Sequence, residues 1–192
     1  MKNFIAAVLA VTSISAMAQT YKVDTKATKI EYSAGKVVGS PHVGHVTAKS
    51  GNLVFKGDEI VSGDVVVDMN SITSTDITDA GTNAKYLGHI KSPDFFDTAK
   101  YPEAKIAIKS SKKTAKGLEV TGDLTFIGKT NPITFVVTDL KKTDSSVTAK
   151  SQVNIDRTKW GLKYGSGSVF KELGDKAIKD EFSLSIDLTA KK

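Results

Sequence analysis

The chain has no cysteine, and Arg157 is the only arginine among its 27 basic residues. Without cysteine there are no disulfide staples, no thiol nucleophile, no thiolate metal site and no dithiol redox chemistry. The fold must rest on an ordinary apolar core, which a chain of 192 residues is long enough to build. The shortage of arginine argues against nucleic acid, because specific sites favour the planar, bidentate guanidinium. The net charge of +6 comes from lysines spread along the chain, often on the polar side of alternating segments. That pattern reads as a solvated basic surface. Histidine is scarce as well. His42, His45 and His89 are the only three, and nothing in the spacing brings a third ligand to His42-x-x-His45, so no zinc site is expected. Gly165-Ser166-Gly167-Ser168 lacks the strand-to-helix setting of a serine nucleophile. Asp94 and Asp97 are more cheaply read as short-helix capping and surface carboxylates than as an acid–base pair. No phosphate-cradling glycine motif precedes a helix, and neither catalysis nor a cofactor is expected.

Long apolar runs are also missing, with one exception at the start. Lys2 supplies a positive charge, Phe4 to Ile14 form an apolar stretch, and Ala16-Met17-Ala18 gives a small-x-small pattern. This reads as a cleavable export signal over residues 1–18, with the mature chain opening at Gln19. A membrane anchor would need roughly 20 apolar residues, and Thr12, Ser13 and Ser15 interrupt the run. The expectation is a soluble domain over residues 19–192, outside the cytoplasm, with no integral membrane segment once the signal is removed.

Period-2 alternation dominates the rest. Leu118, Val120, Gly122, Leu124 and Phe126 alternate with Glu119, Thr121, Asp123 and Thr125. The same rhythm runs through Ile133–Thr138, Val147–Asp156 and Phe182–Thr189. Strands with one wet and one dry face give this pattern, and it points to antiparallel pairing. Further strands are expected at about 21–34, 45–55, 60–70 and 104–110, roughly eight in all, punctuated by Gly and Asp turns. Gly128 to Pro132 reads as a slightly long hairpin loop. Eight meandering strands suggest a barrel or a sandwich.

Two stretches break the rhythm. Between Asp76 and Tyr101, the spacing of Tyr86, Leu87 and Ile90 predicts one or two helical turns, and Ser92-Pro93 resembles the capped start of another through Phe96. Thr158 to Lys179 is rich in glycine and long for a connection without strands, a length often used for covers or binding loops. Phe95, Phe96, Tyr101, Trp160 and Tyr164 gather in or beside these stretches, where they could close one end of a barrel over an apolar pocket.

The same stretches carry a family likeness. Gly88 to Asp97, with Tyr101-Pro102 after it, resembles the "hL-s-dFFd…yP" block of the YceI-like lipid/polyisoprenoid-binding family. Four more blocks follow the family's order: Tyr21 to Asp24, Val67 to Ile72, Val120 to Gly128 and Arg157 to Leu162. The loop at Lys129-Thr130-Asn131-Pro132 departs from the family's usual Val-Thr-Lys-Pro. The resemblance implies an all-β fold with a short helical cover, an eight-stranded antiparallel barrel of lipocalin-like build. It also implies an apolar channel for the tail of an isoprenoid lipid or quinone-like ligand.

On this reading the chain is a periplasmic carrier of isoprenoid lipids without catalysis, full secretion being the alternative location. The wall would come from Phe55, Val67, Ile106, Ile108, Leu124, Phe126, Phe135 and Ile186, and the cover from Leu87, Ile90, Phe95, Phe96 and Trp160. Two other readings stand beside it. An enzyme acting on such lipids would draw on His45, His89 and Asp94, and a structural β domain would have a filled core and no ligand. The sequence leaves both monomer and homodimer open.

Overall fold

The alternation becomes a sheet that closes on itself. The structure, a computed structural model, describes residues 17–192. Among them are nine strands: β1 (Ala18–Val23), β2 (Lys29–Ala34), β3 (His42–Lys56), β4 (Glu59–Asp68), β5 (Glu103–Thr114), β6 (Gly117–Phe126), β7 (Lys129–Lys142), β8 (Ser146–Asp156) and β9 (Glu181–Lys191). Every pairing is antiparallel, and each strand from β3 to β9 lies beside the next in the chain. β1 and β2 both sit between β3 and β9 and close the barrel. The expected single strand over 21–34 is therefore one of eight barrel positions, filled by two strands. Asp24 makes the break: its carboxylate accepts from the Lys26 and Ala27 N–H groups at 3.1 and 3.0 Å, and its carbonyl from Thr28 N–H at 2.9 Å. An Asp that bonds its own following backbone competes with the ladder and turns the chain.

Residues 1–16 of the expected export signal lie outside the described residues. Cleavage after Ala18 would leave β1 its pairings from Gln19 to Lys22 with β3.

Two clusters fill the barrel unequally. At the end holding the β3–β4, β5–β6 and β7–β8 hairpins, Tyr21, Phe55, Val120, Val147 and Ala190 are almost completely buried. Tyr21 and Phe55 meet edge to face at 5.7 Å, and the Tyr21 hydroxyl donates to Thr143 O at 2.7 Å, so this end is plugged. Towards the other end the inward side chains of Val65, Val67, Ile106, Leu124, Ile133, Phe135, Leu184 and Ile186 are only half-buried. They point into the barrel and still lack neighbours. That combination marks an interior that is not filled.

Three local expectations are corrected. The helix, α1 (Ala80–Lys91), runs twelve residues, three turns rather than one or two. Asp79 starts it early by accepting from Thr82 N–H at 2.8 Å. Ser92 does not open a second helix but ends α1, its hydroxyl donating to His89 O at 2.7 Å, and residues 93–96 are turns. The β6–β7 connection is a two-residue turn, with φ of +49° at Ile127 and +69° at Gly128. Positive φ at both centres matches the twist of the flanking strands, and so Lys129 to Pro132 belong to β7, with Thr130 opposite Thr125 and Pro132 opposite Asp123.

Candidate functional site

The incompletely filled interior is a cavity of about 980 Å³. It sits near the upper end of the roughly 300–1,000 Å³ typical of ligand pockets. Its floor is the plug beside Phe55, Val120 and Val147, and its walls are the inward faces of β2 to β9. Of the residues expected at a binding site, Phe55, Ile90, Phe95, Phe96, Ile106, Ile108, Leu124, Phe126, Phe135 and Ile186 line it, as does Val67. Leu87 and Trp160 do not. Trp160 is buried behind the wall, where its indole N–H donates to Leu124 O at 2.9 Å and its ring packs on Phe126 at 6.4 Å. Leu87 packs from the helix against the core cluster around Ile90.

Phe126 sits at the centre of an aromatic chain. Phe96 lies 5.5 Å and Phe182 6.2 Å from it, and Phe95 meets Phe96 edge to face at 5.3 Å. Phe95 continues the series to Tyr164 at 5.7 Å and to His89 at 5.7 Å. Both phenylalanines of the turn after α1 therefore face the cavity, Phe96 towards the wall and Phe95 towards the mouth. Tyr164 and Phe170 line the cavity while remaining exposed, so it meets solvent between them.

The mouth is shaped by the Gly-rich connection between β8 and β9, and Arg157 holds that connection in place. The buried guanidinium donates to the carbonyls of Leu162 and Tyr164 at 2.9 Å each, Lys179 at 3.0 Å and Ile178 at 3.1 Å. It thus ties both ends of the connection to the base of β8. Asp180 stands 3.9 Å away as an ion pair, its Oδ1 buried with no hydrogen-bond partner. Burial pulls the guanidinium below its ordinary value, against the opposing charges of Asp180 and Asp156. Burial works against ionisation of Asp180, but the Ser166 and Ser168 hydroxyls and the Arg157 charge outweigh it and hold the carboxyl below its usual range.

Polar groups within the cavity are few. The Tyr32 hydroxyl donates to Thr73 O at 2.9 Å, and burial pushes the phenols of both Tyr32 and Tyr86 upwards, so both stay neutral. Of the three groups that could serve an enzyme, only His89 reaches the cavity; His45 and Asp94 are exposed. Among the described residues no three His, Asp or Glu side chains stand close enough to hold a metal ion.

The sequence pattern missed several wall residues. Leu184 lies on the same alternation as Ile186, and extending that period would have found it, whereas Tyr32 stands on a strand from which no site residue was expected. Phe170 and the latch role of Arg157 sit in a stretch with no periodicity to read.

With this geometry in view, the chain belongs to the YceI-like domain family, whose model matches residues 21–190. A UPF0312 protein of Vibrio parahaemolyticus is 37% identical over 128 residues, 63% of each chain. Protein YceI of Escherichia coli is 50% identical over 46 residues, 24% of each chain. The chain thus matches less than two thirds of the length of either relative. Among solved structures, BcnA of Burkholderia cenocepacia superposes with a TM-score of 0.66 at 23% identity, covering 88% of this chain and 99% of its own. A polyisoprenoid-binding domain from Saccharophagus degradans gives 0.62 at 15% identity, covering 89% and 97%. At these identities the likeness is one of fold.

Proposed function

We propose that the chain binds the tail of an isoprenoid lipid, quinone- or polyprenol-like, in the barrel cavity and carries it through the periplasm without acting on it chemically. One observation carries the reading: inward-facing apolar side chains half-way along the barrel surround about 980 Å³ of unfilled space. A purely structural β domain would fill that space, because protein interiors pack as densely as organic crystals and apolar voids are costly. An elongated hydrocarbon restores the missing contacts. Membership of the family and the fold shared with a domain described as polyisoprenoid-binding support a prenyl tail as that hydrocarbon.

Burying roughly ten methylene equivalents at about 0.8 kcal/mol each gives roughly 8 kcal/mol before association costs. Counted the same way, a much longer tail would exceed the observed affinity ceiling near 20 kcal/mol. Affinity therefore rises with tail length and then levels off. The reading of no catalysis is supported by a wall that is mostly apolar, with His42 and His89 as its histidines. Export rests on the leader pattern of residues 1–18, and the choice of periplasm over full secretion on the family resemblance.

Mass spectrometry of lipid extracted from protein purified from its own host under mild conditions tests the reading. A co-purifying prenyl species is expected, and an extract free of lipid refutes it. N-terminal sequencing of the extracytoplasmic fraction tests the location: Gln19 is expected as the first residue, and a chain beginning at Met1 refutes export by cleavage.

A further inference from the structure

The mouth of the barrel carries a surface that enclosing a ligand does not require. Seven large apolar residues are exposed among the described residues, and five of them, Val37, Val38, Tyr164, Val169 and Phe170, lie in the two loops at this end. Val37 and Val38 are 53% and 58% exposed, and Val169 and Phe170 are each 41% exposed. Backbone bonds join the loops into one surface. Val37 N–H donates to Ala177 O at 2.9 Å, Ile178 N–H to Gly165 O at 2.7 Å and Phe170 N–H to Ser166 O at 2.8 Å.

Exposed lysines surround the apolar residues: Lys36, Lys163, Lys171, Lys176 and Lys179. None of these five makes a salt bridge among the described residues. Between Lys163 and Lys179 the only acidic residues are Glu172 and Asp175. Exposed apolar patches mark partners, either proteins or membranes. Protein interfaces are enriched in arginine and depleted in lysine, and every exposed basic residue of this rim is lysine, its nearest arginine buried as the latch. Apolar tips ringed by lysine suit an anionic lipid surface, where the tips enter the headgroup layer and the ammonium groups meet the negative potential.

We propose that this end of the barrel docks reversibly on an anionic phospholipid bilayer, with Val37, Val38, Val169 and Phe170 entering the headgroup layer and the cavity mouth facing the membrane. Docking stands on the surface alone. Its consequence, transfer of cargo between bilayer and cavity without passage through water, rests on the isoprenoid-binding reading.

Flotation of the full chain with vesicles of phosphatidylglycerol and phosphatidylcholine in equal parts, free of any isoprenoid, tests this. The wild type co-floats at low salt, and more weakly with phosphatidylcholine alone. Lys171→Glu weakens binding by about fivefold or more, from the usual contribution of one lysine near an anionic surface. The pair Val38→Asp and Val169→Asp weakens it by about tenfold or more, from the apolar burial lost. Val38, Val169 and Lys171 do not line the cavity, so the variants keep the lipid content of the wild type, read by mass spectrometry of the same preparations. A wild type that stays with neither vesicle overturns the inference and leaves the patch to a protein partner. Equal flotation of the double variant overturns it too. A wild type that floats but yields no isoprenoid supports docking and refutes the cargo reading instead.

Discussion

Replacing Arg157 with Met keeps an unbranched apolar stem and removes the guanidinium with all its donors. Four carbonyls, those of Leu162, Tyr164, Ile178 and Lys179, lose their partner. Asp180, whose Oδ1 is already without a hydrogen bond, loses its cation. Hydrogen bonds from a charged donor contribute about 1.5–3 kcal/mol each, so four added naively would give roughly 6–12. Part of that is recovered as water reaches the loosened carbonyls, and breaking one side of a buried ion pair costs about 3–5 kcal/mol. We expect a loss at that lower figure. With a urea m-value of about 3 kcal/mol/M, the midpoint falls by about 1–2 M. Lysine in place of arginine keeps the charge but concentrates three donors at one point, so Arg157→Lys recovers less than half of the loss. Amide exchange locates the damage, with Ile178 and Lys179, which donate to Gly165 O and Gly35 O, exchanging faster first. A midpoint shift below about a third of a molar, together with unchanged exchange at both amides, would falsify the latch.

Three further outcomes are expected. A Cβ at Gly44 would overlap the Thr73 carbonyl and come within 2.7 Å of the Tyr32 hydroxyl, two groups already bonded to each other. Gly44→Ala therefore costs about 3 kcal/mol, the upper end for overpacking, and a urea-measured loss under about 1 kcal/mol refutes this. Phe96, stacked on Phe126, matters more for stability, while Phe95, beside Tyr164 at the mouth, matters more for retention. Phe96→Ala loses stability, though less than the roughly 3–5 kcal/mol of a fully buried ring, and Phe95→Ala mainly speeds ligand release, followed through Trp160 emission; equal effects of both on both measurements sink the distinction. Four carboxyls are held below their ordinary range: Asp24 by Lys191, Asp79 by Thr82, and Asp76 and Asp180 by polar partners that outweigh their burial. A depressed folded-state value adds stability that is complete above the unfolded value near 3.9 and is lost as pH falls from there through the folded values, so a thermal midpoint that stays constant down to about pH 2 contradicts these contacts.

The strands were legible because the barrel repeats one physical rule. Each of Leu118, Val120, Phe126, Val147, Val153 and Ile155 turned inward as its alternation required. What the period could not express was whether an inward residue meets a neighbour or empty space. Leu118 and Leu124 read alike in sequence, yet Leu124 borders the cavity half-buried and Leu118 is packed away from it. That difference depends on side chains from strands distant in the chain. Local exceptions were hidden for a similar reason. Ile127 is a poor residue for positive φ, so its two-residue turn was not expected, and Asp24 broke a strand whose outward rhythm gave no sign of a gap. Trp160 was placed at the site by its aromatic company, and its hydrogen bond to Leu124 puts it one layer behind.

The closing seam between β1–β2 and β9 also sets an order of assembly. From β3 to β9 each strand can pair with the one before it as soon as both exist, by short hairpins except at β4–β5 and β8–β9, where α1 and the Gly-rich connection intervene. The last junction joins Lys22 to Lys191 and Ile30 to Ile186, nearly the two ends of the chain, and it waits for β9. Until that seam closes, β1–β2 and β9 are bare edges with unpaired N–H and C=O groups, flanking an apolar face that is open to other chains. Such intermediates fold slowly and aggregate readily. Conditions that delay delivery of the final strand will therefore select for chain-to-chain pairing, and a factor that covers an apolar sheet face will act before closure and lose its grip afterwards.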